Sequence, residues 1–305
     1  GKVARPSSGG LWSTDILPIS PGSELDRDYL AHYLSQPCMV ALAASRATGA
    51  NLPRLSPSVL ASFEIPLPPL PEQRRIAAIL DKADALRTKR RQVLAHLDAL
   101  PQAVFRQHFG SKPSTIPLGE LAHFYSGGTP SKADPTNWVG SLPWFSAKDV
   151  KPWELLVAQD SIDDSLTERT SLRKLPKDTI VIVVRGMILA RSIPVAILRT
   201  EAAINQDLKA LVVRRAINTE FLAHAIKAQE RWLLARVSNA AHGTTKLDSR
   251  VLEEIPIPYV SVGDQEAFAR VLALLRPLRA SCAHALHSDD QVFASLQSRA
   301  FNAQL

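Results

Sequence analysis

Asp178 and Asp207, with Lys209 two places beyond the second, come nearest to the acidic pair and lysine of a metal-dependent nuclease. No further carboxylate is spaced to complete a two-metal site, and an acid-x-Lys triplet arises readily by chance. Gly127-Gly-Thr-Pro-Ser-Lys132 has the glycines of a phosphate loop without the Gly-Lys-Ser/Thr ending that lets backbone amides wrap a nucleotide phosphate, so it reads as a turn. The eight histidines are scattered with no metal-ligand spacing, and neither Asn-Pro-Pro-Tyr nor Asp-Pro-Pro-Tyr occurs. Cys38 and Cys282 lie in no motif and read as reduced thiols, not a disulfide. The expectation is a non-catalytic chain with no metal or cofactor of its own.

The chemistry that remains is binding. Across 305 residues the formal charge is +7, which suits a polyanionic partner. The chain is 46% hydrophobic and 21% charged, ordinary for a globular protein and unlike a disordered one. No apolar run approaches a membrane span and no signal peptide opens the chain, so a cytoplasmic location without membrane contact is expected.

Any binding residues must be held by two long periodic stretches. After Ile65-Pro-Leu-Pro-Pro-Leu-Pro-Glu-Gln73, apolar residues fall at Ile76, Ile79, Ala83, Leu86, Val93, Leu97, Leu100 and Val104. That three-four spacing, broken by Arg90, predicts a coiled-coil helix over 71–110. Pro71 opens it, Pro101 kinks or restarts it, and Gly110 stops it. The pattern returns at Phe268, Val271, Leu275, Leu278, Cys282, Ala285, Val292 and Leu296. At a shift of 192 residues, Ile65, Pro66, Gln73, Leu80, Leu86, Arg87 and Phe109 match Ile257, Pro258, Gln265, Leu272, Leu278, Arg279 and Phe301 without a gap. This is an internal repeat.

The same shift aligns Asp28-Tyr-Leu-Ala-His32 with Glu220-Phe-Leu-Ala-His224, and Asp15 with Asp207. The first copy therefore enters part-way through its own domain, with about 80 residues of the second lacking a counterpart. The expected order is a partial domain over 1–70, a long helix over 71–110, a complete domain over 111–262 and a second long helix over 263–305. Within it we expect a β-rich piece around 13–19, helices over 28–45 and 219–236, and a buried strand at Thr179-Ile-Val-Ile-Val-Val184.

This order resembles the specificity subunit of type I restriction-modification enzymes. The residues carrying the resemblance are 65–73, Gly-Gly-Thr-Pro at 127–130, Pro-Trp-Phe-Ser-Ala-Lys-Asp at 143–149, Val-Arg-Gly-Met at 184–187 and Ile-Asn-Gln-Asp at 204–207. It implies an α+β fold, with two α/β target-recognition domains (the first incomplete) separated by two long antiparallel coiled-coil helices. Each domain would read half of a split site in double-stranded DNA. It also implies DNA methyltransferase subunits and a motor-endonuclease subunit as partners, with S-adenosylmethionine, ATP and magnesium on those partners. The rival readings are a coiled-coil scaffold that binds no DNA and a stand-alone nuclease.

Base edges are read by Arg, Lys, Asn, Gln, Ser and Thr on loops, which match their donor and acceptor patterns. In the complete domain these are Lys132, Lys148, Arg185, Arg191, Asn205, Gln206, Thr244, Thr245 and Lys246, and in the partial one Arg5, Ser7, Ser8, Asn51 and Arg54. Asn205-Gln206 reads equally as a structural hydrogen-bonding pair. The basic run Arg87-Thr-Lys-Arg-Arg91 reads as the wet face of a coiled coil or as a phosphate contact through Lys89, Arg90 and Arg91. Arg90, at a seam position, reads alternatively as a register-setting residue.

Overall fold

The computed structural model describes residues 3–6, 8–49, 53–112, 114–214, 217–239 and 245–302. Helices α1 (Arg27–Leu34), α2 (Pro37–Ser45) and α3 (Pro57–Ala61) precede the 40-residue α4 (Leu70–Phe109). A mixed region follows, with strands β1 (Thr115–Pro117), β2 (Ala122–Ser126), β3 (Leu142–Phe145), β4 (Glu154–Leu155), β5 (Asp160–Ile162), β6 (Ile180–Val183), β7 (Val195–Leu198), β8 (Ala203–Ile204), β9 (Leu208–Val213), β10 (Ser238–Asn239), β11 (Thr245–Lys246) and β12 (Pro256–Pro258). Its helices are α5 (Leu118–Leu121), α6 (Leu166–Arg169), α7 (Thr219–Ala228), α8 (Glu230–Leu234) and α9 (Ser249–Glu253). The 40-residue α10 (Val262–Phe301) comes last.

Two compact units result. One holds residues 1–96 and 278–305, the other 97–277, so each long helix contributes to both. The reason lies in the repeat. Phe301 packs on Tyr29 at 5.2 Å between ring centroids, and its counterpart Phe109 packs on Phe221, the counterpart of Tyr29, also at 5.2 Å. The closing aromatic of each copy thus fills the core of the other copy's unit.

The first unit is built on antiparallel helix pairing. Ile76, Ala77 and Leu80 cluster with Leu296, Ala300 and Tyr29. Further along, Arg87 reaches Asp290 at 2.7 Å, Arg90 reaches Asp289 at 2.6 Å, and Cys282 Sγ lies 3.7 Å from the Arg90 carbonyl. Arg87 also lies over the Phe293 ring. Hydrogen bonds from Arg87 hold the Asp290 carboxyl below the usual range.

In the second unit a five-stranded sheet runs β2-β9-β6-β7-β4, beside the three-stranded β5-β3-β8. All four residues of β6 are fully buried, as the β-branched run predicts. Phe105, Phe109, Phe221 and Phe268 join this core from the helices.

Buried glutamines mark both repeat copies. Gln73 Oε1 accepts from the Asp26 amide at 2.7 Å, and Gln265 Oε1 accepts from the Asn218 amide at 2.9 Å. Asp26 and Asn218 are themselves repeat counterparts and cap α1 and α7 with their side chains. A buried amide side chain that satisfies the cap backbone fixes each short helix to a long one.

His32 and His224 differ despite equivalent positions. His32 Nε2 meets Asp81 at 2.8 Å, whereas His224 is buried, stacked on Trp153 at 4.2 Å and bonded to Gln102. Burial, with Arg276 nearby, drives the His224 imidazole down to about 3. The unfolded chain therefore takes up a proton near pH 6.5 that the folded chain refuses, so stability falls as pH drops below that value. Acidifying from pH 7 to 5 is expected to cost the second unit about 2 kcal/mol. Thermal melts of His224→Gln should lose most of that acid sensitivity.

Several expectations need correction. No strand forms at 13–19, where Ile16 and Ile19 are exposed and lack a partner strand. The helix expected over 28–45 divides into α1 and α2, because Pro37 holds Gln36 extended at ψ 142° before reopening the helix. The helix over 219–236 divides at Gln229, whose side chain donates to the Pro256 carbonyl at 3.0 Å. Pro101 sits inside α4 without ending it, while the helix does end just before Gly110, where a Cβ would stand 2.5 Å from the Arg106 carbonyl oxygen. The seam is also displaced. Leu86, Val93 and Leu100 are 50%, 49% and 39% exposed, and the inward line, buried at Gln73, Ile76 and Leu80, continues half-buried through Ala83, Arg87, Arg90, Leu94, Leu97 and Pro101. Gln73 and Arg87 made the true line look polar.

Candidate nucleic-acid interface

In the second unit, four loops and a short strand meet beside the ends of the two sheets. The first is the Gly127–Lys132 loop after β2. A Cβ on Gly127 would stand 2.1 Å from the Ile204 carbonyl oxygen, and Gly128 donates its amide to that same oxygen at 3.0 Å. Gly127 is therefore needed because the loop lies directly on the backbone leading to Asn205. Trp144 Nε1 donates to the Gly128 carbonyl at 3.0 Å, and Trp138 Nε1 to the Ser131 carbonyl at 3.2 Å.

The second is the Ser146–Asp149 turn after β3. Asp149 accepts from both the amide and the hydroxyl of Ser146, at 2.8 and 2.7 Å, which presents Lys148 outward. Lys148 pairs with Asp160 at 3.0 Å across an exposed edge. The third is Asn205–Asp207. Asn205 is buried, accepts from the Asp207 amide and donates to its carboxylate, both at 3.0 Å, so it is a structural pair. Gln206 is exposed and accepts from the Thr129 hydroxyl.

The fourth is the turn after β6, held by β11. Arg185 bridges Lys246, and Val184 bonds the Asp207 carbonyl at 2.8 Å, which ties this turn to the third loop. Thr245 is buried and its hydroxyl donates to the Gly186 carbonyl. Lys246 pairs with Asp248 at 3.0 Å. Arg185 and Arg191 are exposed, with no carboxylate partner among the described residues. Lys132, Trp138, Trp144, Lys148, Asn205 and Asp207 line an open depression of about 690 Å³.

The structure thus brings together Lys132, Lys148, Arg185, Asn205, Gln206, Thr245 and Lys246, with Arg191 on the same turn as Arg185. Thr244, Asn51 and Ser7 lie outside the described residues. The remaining candidates belong to the first unit. Arg54 pairs with Asp15 at 2.7 Å, and Arg5 pairs with Asp81 at 2.6 Å. Arg91 meets Asp290 at 2.9 Å and Arg90 meets Asp289, while Lys89 is exposed without a carboxylate partner among the described residues. The sequence placed Met187 in a motif without giving it a role and did not single out Trp138 or Ile188; Met187 and Ile188 are 81% and 44% exposed. The available signal was Gly186, whose φ of 131° is open only to glycine, just before two large apolar residues.

Asp178 pairs with Arg199 at 2.6 Å, Asp207 is held by Asn205, and Lys209 donates to Ser126. The acid-lysine imitation is thus taken up by separate structural contacts. Among the described residues no group of three or more His, Cys, Asp or Glu is placed to hold a metal ion, and no helix is long and apolar enough to cross a membrane.

A family model described as "Type I restriction modification DNA specificity domain" matches residues 9–96 and 112–275. The chain is 30% identical over 217 residues to the specificity subunit of the type I restriction enzyme EcoR124I/EcoR124II from Escherichia coli, covering 68% of this chain and 54% of that protein. It is 28% identical over 161 residues to the MjaIX specificity subunit of Methanocaldococcus jannaschii, covering 51% of this chain and 35% of that one. The chain therefore spans about half the length of the first relative and about a third of the second. Among solved structures it is similar to a chain from work on complex assembly and conformational transition of the type I R-M system, with TM-score 0.60 and 18% identity, covering 91% of this chain and 71% of that one. It is also similar to the type I restriction-modification S subunit of M. genitalium, with TM-score 0.57 and 19% identity, covering 91% and 73%.

Proposed function

Because the chain belongs to the type I restriction-modification DNA specificity family, we propose that it is a non-catalytic reader of double-stranded DNA that directs other subunits to a two-part site. The observation that carries this reading is the convergence of four loops and a strand on one end of the second unit, with Lys132, Arg185 and Arg191 left without carboxylate partners among the described residues. Unpaired cations on loops meet phosphates, while neighbouring amides and hydroxyls can face base edges. Gln206, exposed beside Thr129, is the amide best placed to read. The repeated glutamine staples and crossed aromatics support two heads held by a common helix pair.

Methyltransferase subunits dock, on this reading, on the apolar flank of the helix pair, and a motor-endonuclease subunit joins them. S-adenosylmethionine, ATP and magnesium act on those partners in the cytoplasm. In an antiparallel pair, equivalent flanks of the two helices lie on the same side. Arg91 and Asp290 occupy the charged flank of each helix and meet at 2.9 Å. Leu86 and Val93 therefore share the opposite side with Leu278 and Val292, all about half exposed. An apolar strip of this kind on a charged rod is an association surface.

The test is equilibrium binding of the chain, assembled with its methyltransferase, to short duplex DNA across a salt series. Lys132→Ala with Arg185→Ala is expected to weaken binding to every duplex and to reduce the slope of log K against log salt by about two. An unchanged slope would remove these residues from the interface. Arg91 and Arg90 are committed to carboxylates of α10, so within the basic run only Lys89 is expected to contribute to that slope.

A further inference from the structure

We propose that the Met187–Ile188 turn is an apolar probe that enters a groove of duplex DNA and presses on base edges, while Arg185 and Arg191 take the phosphates on either side. The proposal rests on the reading of the second unit as a DNA-binding head and names a mode of recognition within it. Met187 is 81% exposed and Ile188 44%, although the next residue, Leu189, is buried at 1%. The chain thus dips into the core immediately after presenting two large apolar side chains to solvent.

The turn is built to hold that presentation. Gly186 at φ 131° reverses the chain in a conformation other residues rarely adopt. The buried Thr245 clamps it from both sides, its hydroxyl donating to the Gly186 carbonyl at 2.5 Å and its carbonyl accepting the Gly186 amide at 3.0 Å. Beyond the tip, the amides of Arg191 and Ser192 both donate to the Ile188 carbonyl, at 2.9 and 3.0 Å. An apolar tip fixed at both ends loses little conformational freedom on insertion.

The collar selects the occupant. Arg185 and Arg191 are exposed without carboxylate partners among the described residues, and Lys246, paired to Asp248, sits beside Arg185. A protein partner for an apolar tip would be met by an apolar rim, whereas an unpaired cation on each side suits a polyanion. In duplex DNA the apolar surfaces lie between two rows of phosphates, on the floor of a groove. Apolar side chains there contact thymine methyl groups or wedge between base steps.

The experiment uses the chain assembled with its methyltransferase. Two short duplexes serve as probes: one carries the motif found by sequencing modified bases in cells that express the complex, the other is of random sequence. Met187→Ala is expected to weaken binding to the motif duplex about tenfold, the scale of one buried methionine. It should leave the random duplex and the salt slope unchanged, and Met187→Leu should restore most of the loss. Because Met187 is outside the core, loss of folding does not confuse the result. Equal binding of the motif duplex by parent and Met187→Ala, equal weakening on both duplexes, or weakened assembly with the methyltransferase would each overturn the probe. A parent complex with no preference for the motif duplex would instead overturn the DNA-reading function itself.

Discussion

Replacing Phe105 with Ala is expected to destabilise the 97–277 unit by about 3–5 kcal/mol, the cost of deleting a fully buried aromatic. Phe105 is 1% exposed and belongs to α4, yet its ring meets Phe221 at 5.3 Å and Phe268 at 5.4 Å, besides Phe109 at 5.1 Å. Four rings from three helices close that end of the core, so a cavity there cannot collapse around one flexible neighbour. Denaturant unfolding followed by tryptophan fluorescence reads the effect, since Trp153 is stacked on His224 in the same unit. If α4 were only an external spacer, Phe105→Ala would shift the midpoint little. A shift of the size of an exposed-residue change, within about 0.5 kcal/mol, would refute the crossed packing of the repeat.

The second large effect concerns assembly. Leu86→Asp together with Leu278→Asp is expected to weaken association with the methyltransferase by more than about 100-fold, as placing charge at the centre of an apolar interface does. Both side chains are exposed, 50% and 57%, so the isolated chain should keep its melting temperature. Analytical ultracentrifugation of the mixture reads assembly directly. Substitution of the opposite, charged flank, for example Asp84→Lys, is the contrasting case. It disturbs the ion pair with Arg87 at 3.3 Å and should leave association largely intact. Equal loss from both flanks, or from neither, would remove the apolar strip as the docking face.

Much of this architecture was legible because the helices carry their signals locally. The three-four spacing, the proline lead-in and Gly110 placed α4 within a residue of its ends, and the buried β-branched run placed β6. The repeat was legible because Gln73 and Gln265 do the same work, each holding the cap of a helix 47 residues upstream. The buried line of the long helices was not. Ile79 and Leu80 are both apolar, so the sequence leaves two seams open, and the one that closes includes Gln73 and Arg87. Nor could the basic run declare its partners, because Asp289 and Asp290 come from the far end of the chain. The strand expected at 13–19 had the residue types of one but lacks a neighbouring strand to bond.

The candidate interface was legible in part for the same reason. Motif order identified the loops, whereas their convergence depends on backbone contacts between Gly127 and Ile204, and between Val184 and Asp207. Asn205 read as either a base contact or a structural pair, and the structure makes it a buried brace. Met187 looked like part of a motif and is the most exposed large apolar side chain on its turn.

The most direct measurement is sequencing of modified bases in a host that expresses this chain with its methyltransferase. A two-headed DNA reader predicts methylation at a split motif, two short specific parts flanking a spacer of fixed length and free sequence. It further predicts that substituting Gln206 relaxes one part alone. Methylation at a continuous motif, or a pattern indifferent to the presence of this chain, would contradict it.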